Sequence, residues 1–454
     1  MRFHGRNVGF WRLAALFAVP AALLVAAWLL LPASLLKLAI LSLIALPLAF
    51  YLIDKPELAF YIFTVIIFSN IDVYSPVAIF QTYAIFMLVT LALAVVRGRE
   101  LVVPDARFIF LLAAFILLAF QSMAVARDLG TAVHIFGKFM KVIFCVVITS
   151  QFVRDRRELK VFLLVVAAAV LVSNLLPLVL PVPEGRGGPA LIGEQGVFRF
   201  TGLILEPNTV AFLQIFCIPF YLFLAGVYRK PFAARWVFIG ALLVSLGVIV
   251  MSFSRGSLIT FVLLFLLFLY SERRKRAVPI LGILIVVIGI LLVPSSYFVR
   301  IGTIYEALSN PSTDYPIYTR LVTSKVALQL AARYPVTGVG IGNYMHHAPH
   351  YTSFPLVVHN VPLLIFSELG VLALGVFIAM IVVNVRILSG LAKRRDDREA
   401  ALLGRMLLLQ HAAILVNSLF IPSMYEHAFW YTLALPAFAA VAYRRGSPPA
   451  TGRK

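Results

Sequence analysis

The chain has 454 residues, 62% of them hydrophobic and 13% charged, with a formal net charge of +20 and a mean hydropathy of +0.99. A soluble core cannot absorb so much apolar surface, and apolar runs long enough to cross about 30 Å of hydrocarbon as helices recur from end to end, which excludes a soluble globular fold. The positive charge would suggest nucleic acid in a soluble protein; here Lys and Arg in loops set topology, and no nucleic-acid partner is expected.

The start, MRFHGRNVGFWR followed by an apolar run, mimics a signal peptide, with Pro32-Ala33-Ser34 as a weak cleavage site. A second apolar span follows at once, which favours an uncleaved first helix. About fourteen candidate spans lie near 13–31, 34–53, 57–69, 77–96, 108–125, 133–152, 160–180, 207–227, 235–252, 257–271, 278–295, 358–386, 400–420 and 428–443. Alternating ten-residue strands are absent, which argues against a β-barrel. The expectation is an all-α polytopic membrane protein of about 12–14 transmembrane helices, with residues 1–454 as one membrane domain.

Basic clusters occur at Arg2/Arg6/Arg12, Arg97/Arg99, Arg154/Arg156/Arg157, Arg229/Lys230, Arg273/Arg274/Lys275/Arg276, Lys393/Arg394/Arg395 and Arg444/Arg445. The positive-inside rule assigns them, and both termini, to the cytoplasm. The connections 69–76, 181–206, 251–257, 296–357 and 422–427 then face outward. Within the longest, 296–357, residues 314–333 have an amphipathic helical pattern, with Tyr318, Leu321, Val322, Val326 and Leu330 near helical spacing. Tyr334-Pro335 stops that helix, and the glycines of GVGIGN form a tight turn. We expect a small folded lid. Cys145 and Cys217 fall inside apolar runs and read as core thiols.

Four polar constellations share the outward side. Arg199, Glu206 and Asn208 precede a span, with Pro207 suited to a first helical turn; an ordinary capped helix start accounts for Glu206 equally well. Arg255 lies in SFSRGSLI between two apolar runs. It could snorkel to the interface, but its planar fork of donors suits phosphate oxygens, and its small neighbours Ser254, Gly256 and Ser257 leave room for a ligand. Arg320 lies near the start of the lid helix, while Lys325 and Arg333 read as its solvated face. His359 and Asn360, with Glu368 nine residues on, open another span. Histidine suits proton transfer near neutral pH. Glu368 lies about 13 Å deeper, on roughly the opposite helix face, where it would pair with another buried polar group. His346, His347 and His350 read as surface or lid residues, their spacing matching no standard zinc pattern.

The order of these residues resembles the O-antigen ligase and polymerase superfamily of bacterial membrane glycosyltransferases. The resemblance covers about 190–375: Arg199, Gly202, Pro207-Asn208, then Ser254-Arg255-Gly256, Arg320 on an amphipathic helix, Pro335/Gly338/Gly340, and His359-Asn360…Glu368/Gly370. Each short motif is weak; their order carries the likeness. The resemblance implies a fold like that of type C glycosyltransferases in the bacterial inner membrane. It also implies transfer of a glycan from undecaprenyl diphosphate, at the periplasmic face, to an acceptor hydroxyl. The acceptor expected is lipid A–core; polymerases of the superfamily extend another lipid-linked repeat, and some relatives glycosylate proteins. No cofactor and no metal are expected, and direct attack would invert the anomeric carbon. On this reading His359 is the base, Arg255 and Arg199 with Arg320 stabilise the diphosphate, and Asn360, Glu368 and Asn208 support them. Glu206 departs from the scheme by putting negative charge near that site. A small-anion transporter is the competing class, but it predicts two similar halves with ionisable residues deep inside, and no such repeat is visible.

Overall fold

The computed structural model describes residues 48–74, 79–180, 191–194, 197–228, 232–272, 302, 310, 314–353 and 356–444. Eleven helices among the described residues fall where spans are expected: α1 (Pro56–Ser69), α2 (Ile79–Val96), α3 (Ala106–Ser122), α4 (Leu129–Phe152), α5 (Arg156–Val179), α6 (Pro207–Val227), α7 (Phe232–Met251), α8 (Arg255–Glu272), α10 (Val361–Ala392), α11 (Arg398–Asn417) and α12 (His427–Ala442). The lid helix α9 (Tyr315–Arg333) lies between α8 and α10. Seven of the helices are long and apolar enough to cross a membrane, so this is an all-α polytopic membrane protein. The expected spans 13–31, 278–295 and most of 34–53 lie outside the described residues. An antiparallel hairpin, β1 (Leu191–Glu194) with β2 (Val197–Phe200), precedes α6 and pairs Ile192 with Arg199.

Helix starts follow the local sequence. Asp105, Asp128, Asp155, Glu206, Asp314, Asn360 and Asp397 each stand at an N-cap and accept a backbone N–H of the first turn. Pro at the first turn of α6 and early in α9 and α10 removes a donor that would lack a partner anyway.

The chain divides into two compact units, 1–63 with 83–100, and 64–82 with 101–454. In the first, Phe63 stacks on Tyr83, and Arg97 and Arg99 pair with Asp54 and Glu57 at 2.9 and 2.8 Å. In the second, α6 is the central pillar, the most buried of the seven candidate spans among the described residues. It packs against α5, α7 and α11. Polar side chains cross-link this core where no water is available to satisfy them. Gln410 donates to the Phe216 carbonyl at 3.0 Å, Ser245 to Gln214 at 3.0 Å, and Asn384 to the Leu433 carbonyl at 2.8 Å. Cys145 and Cys217 are buried free thiols.

The lid helix differs from its sequence pattern in one respect. Val326 and Leu330 are buried, but Leu321 is 53% exposed. The buried face includes Thr319, Thr323, Ala327 and Ala331. Small residues let α9 approach α10 closely, and Tyr344 reaches across to donate to the Thr323 carbonyl at 3.0 Å.

Candidate functional site

Two strained backbone positions flank the first arginines. Leu205, just before the cap of α6, has φ 65°, and Phe253, two residues before Arg255, has φ 51°. Left-handed backbone costs a non-glycine residue roughly 1–3 kcal/mol and persists only where the surroundings enforce it. Here they do. The Arg199 side chain, 7% exposed, runs from the hairpin to the α7–α8 turn. Its Nε donates to the Ser252 carbonyl at 2.9 Å, and its guanidinium donates to Asn208 Oδ1 at 3.2 Å. Asn208 in turn donates to Glu206 at 2.6 Å, and Glu206 accepts the Thr209 N–H as N-cap. Glu206 therefore closes a chain of polar contacts that ends on Arg199.

Arg255 holds Asp314 with both arms of its fork, at 2.7 and 3.2 Å. The small residues around it are filled by protein, contrary to the expectation of open space for a ligand. Ser254 and Ser257 bond to each other at 3.0 Å, Asn417 reaches Ser257 at 3.3 Å, and a Cβ at Gly256 would meet Phe420 Cβ at 2.6 Å. This turn is packed against the end of α11.

Arg320 sits in the second turn of α9, half-buried. Its guanidinium has no hydrogen bond or ion pair among the described residues. Burial pushes its pKa down, the charges of Arg255 and Arg199 push it further, and Asp314 and Glu206 oppose them. Those four groups are thus its electrostatic neighbours. His359 lies within the same field. Its pKa is lowered first by burial and then by Arg320, against the Val357 carbonyl and Glu206. Nδ1 lies 2.8 Å from the Val357 carbonyl, an oxygen that can only accept. The neutral ring therefore carries its proton on Nδ1 and leaves Nε2 with a lone pair. Asn360 is taken up as the cap of α10, accepting from the Leu363 N–H at 3.0 Å.

Arg199, Arg255, Glu206 and Asp314 thus share the electrostatic neighbourhood of Arg320, and His359 enters it through Arg320 and Glu206. Residues 239–378 match the family model described as O-antigen ligase. This segment belongs to the O-antigen ligase superfamily. It contains Arg255, Asp314, Arg320, His359 and Glu368, while Arg199 and Glu206 precede it. A search of curated proteins gave no match. The family supports a membrane enzyme of the ligase and polymerase class that transfers a glycan.

The second half of the O-antigen ligase segment builds a rigid frame. The helix α10 breaks at Gly370, whose φ is 84°, and the chain 335–340 docks into the break. Val371 N–H donates to the Pro335 carbonyl at 2.7 Å, Val339 N–H to Ser367 at 2.9 Å, and Gly340 N–H to Glu368 at 2.9 Å. A Cβ at Gly370 would lie 2.0 Å from the Val336 carbonyl oxygen, and one at Gly338 would lie 2.3 Å from the Glu368 backbone. Both glycines have positive φ, so their side-chain-free, left-handed backbone is what lets the two segments meet. Glu368 is buried beneath this turn. It accepts from Gly342 N–H at 2.8 Å, Tyr344 N–H at 3.2 Å and the Tyr425 hydroxyl at 3.1 Å. It ties α10 to the glycine turn and to the 422–427 connection, away from His359.

The lid histidines anchor instead to the α3–α4 connection. His346 Nε2 is 3.1 Å from Thr131 Oγ1 and 3.5 Å from Asp128, and Arg127 contacts the His346 carbonyl and His350. No group of three metal-ligating side chains occurs among the described residues.

Sequence reasoning missed Asp314 and Tyr425. Asp314 stands 59 positions from its partner, and only the first residue of an amphipathic run marked it as a helix cap. Tyr425 lies in the named connection 422–427, but nothing local ties it to Glu368.

Proposed function

We propose that the chain transfers a glycan from undecaprenyl diphosphate to an acceptor hydroxyl at the periplasmic face of a bacterial inner membrane, with lipid A–core as the acceptor. The observation that carries this reading is His359, its Nδ1 2.8 Å from the Val357 carbonyl and its Nε2 left to accept a proton, in the charge neighbourhood of an Arg320 guanidinium that has no partner among the described residues. In the transfer, the acceptor oxygen attacks the anomeric carbon while the bond from that carbon to the diphosphate oxygen breaks. The bonding electrons leave with the lipid diphosphate, and the acceptor proton passes to His359 Nε2. Attack opposite the leaving group inverts the anomeric carbon.

The three cations answer the charge that grows on the diphosphate. Arg320, with no partner among the described residues, is the donor able to take a phosphate oxygen without losing another bond. Arg255 is engaged by Asp314 and contributes chiefly its field and the placement of α9. The depressed pKa of His359 suits a base, since only the neutral ring can accept a proton. The basic clusters at alternate connections support the periplasmic orientation, and residues 296–357 would then be a periplasmic lid.

The test is a reconstituted assay with purified full chain and an undecaprenyl-diphosphate glycan. It would offer lipid A–core, a second lipid-linked glycan, or a hydroxyl-bearing peptide, each without and then with EDTA. Product on lipid A–core alone supports the ligase reading. A ladder of lengthening lipid-linked glycan would replace it with a polymerase, and product on the peptide with a protein ligase. Loss of all transfer on adding EDTA would overturn the metal-free mechanism.

A further inference from the structure

The helix α4 carries two lysines, Lys138 and Lys141, one turn apart and about 13 and 18 Å from its first residue. That is the middle of a membrane-spanning segment. Both are exposed on one wall of a cavity of about 380 Å³, within the ~300–1,000 Å³ range of ligand sites. Neither lysine has a hydrogen bond or an ion pair among the described residues. Cations at such depth are costly and mark substrate paths when they face a cavity.

The other polar lining groups come from other elements. Asn70, in the left-handed region at φ 55°, donates to the Leu203 carbonyl at 2.5 Å and sets the rim with Asp72. Glu426 and His427 line the same cavity. His427 Nε2 is buried and has no hydrogen-bond partner among the described residues, and its ring meets Phe80 edge-on at 6.0 Å. The charge of Glu206 acts on Glu426, whose pKa is pushed up to about 7, mainly by burial. Ile204 and Leu213, on either side of Glu206 in the chain, also line the cavity, whereas Arg199, Arg255 and Arg320 do not, so it adjoins the arginine site without being part of it.

We propose that this cavity is a subsite for an acidic sugar, with the sugar's carboxylate on Lys138 and Lys141 and its hydroxyls on Asp72, Glu426 and His427. Two lysines sharing one cavity with Asp72, Glu426 and His427 fit a ligand that carries one negative charge among many hydroxyls. A diphosphate, with no hydroxyl donors, would leave Asp72, Glu426 and His427 without a hydrogen-bond donor or partner. Phe80 and Tyr425 add aromatic surface for a sugar face. The choice of a sugar rests on the glycan-transfer reading; the need for an anion rests on the lysines alone. The acidic sugar could belong to the donor glycan or to the acceptor.

The experiment is isothermal titration of the purified full chain in detergent with trigalacturonate, neutral maltotriose and inorganic pyrophosphate. Wild type should bind trigalacturonate at least tenfold more tightly than maltotriose. The Lys138→Met/Lys141→Met variant should lose that preference, while Lys138→Arg/Lys141→Arg keeps it. Pyrophosphate binding should survive both and be weakened by Arg320→Gln. Equal binding of the two trisaccharides by wild type, no binding of either, or an unchanged preference in the methionine variant would overturn the proposal. So would loss of pyrophosphate binding in that variant, which would assign the lysines to the diphosphate. Absence of glycan transfer with the trigalacturonate preference intact would instead remove the transferase reading and leave the subsite. With the subsite established, transfer with an acidic donor and neutral acceptor, and the reverse pair, shows which substrate carries the charge: the methionine variant slows only the pair whose acidic partner occupies the cavity.

Discussion

Arg255 and Asp314 form a two-armed ion pair, 2.7 and 3.2 Å, that joins the start of α8 to the start of the lid helix α9. Both side chains are largely buried, at 11% and 4% exposure. Breaking a buried pair from one side strands a charge and costs roughly 3–5 kcal/mol. Arg255→Ala should therefore unfold at lower temperature than wild type, apart from any effect on transfer. Arg255→Ala/Asp314→Asn, which removes the stranded charge and keeps the cap of α9, should recover part of that loss, as read by thermal unfolding in detergent. A double variant less stable than Arg255→Ala would contradict the pairing.

The pH profile tests His359. Its pKa lies below the usual 6.5, so the ring is neutral at neutral pH and transfer should fall only as pH drops through that lowered value. The charge of Arg320 pushes the pKa down, so Arg320→Gln should move the acid limb to higher pH. The charge of Glu206 pushes it up, so Glu206→Gln should move the limb to lower pH. Rate against pH, measured from 4.5 to 8 at saturating donor, distinguishes the two shifts. Limbs that stay put in both variants would remove His359 from the titration.

Glu368 accepts three hydrogen bonds inside the protein. Glu368→Gln keeps the shape but turns one acceptor into a donor facing N–H groups. Each stranded buried donor costs about 1–3 kcal/mol. The expected result is a lower unfolding temperature with slowed transfer, while Tyr425→Phe, which removes one bond, should lose less of both.

The break in α10 is tested by Gly370→Ala. The φ of 84° and the Val336 carbonyl oxygen 2.0 Å from a new Cβ leave no room for a methyl group. Strain alone would cost roughly 1–3 kcal/mol. Gly375, also in α10, has nothing within 4 Å of its Cβ position, so Gly375→Ala should leave the unfolding temperature nearly unchanged.

How much of this was legible in the sequence follows from the range of each interaction. Spans, the lid helix and its stop at Tyr334-Pro335 are written in local apolar spacing and in proline, and the structure ends α9 at Arg333. The glycines of GVGIGN announced a turn, but not that Gly338 would meet the backbone of Glu368–Leu369 and Gly370 that of Val336–Thr337, because those contacts join segments about 30 positions apart. Arg255 was visible as a cation out of place for topology. Its carboxylate partner was not, since Asp314 also serves as a helix cap and looks ordinary in that role. Leu321 looked like core by spacing, yet the helix turns its threonines and alanines inward because close packing on α10 favours small side chains. Lys138 and Lys141 were hidden within a span whose overall apolarity dominated the pattern.

The most direct measurement is the single-turnover rate of glycan transfer from undecaprenyl diphosphate by wild type, His359→Ala and Arg320→Gln, each checked for wild-type unfolding temperature. The account predicts a loss of about 10²–10⁴-fold for His359→Ala and about 10²–10³-fold for Arg320→Gln. Transfer at the wild-type rate by either folded variant would contradict the assignment of base and phosphate cation to this site.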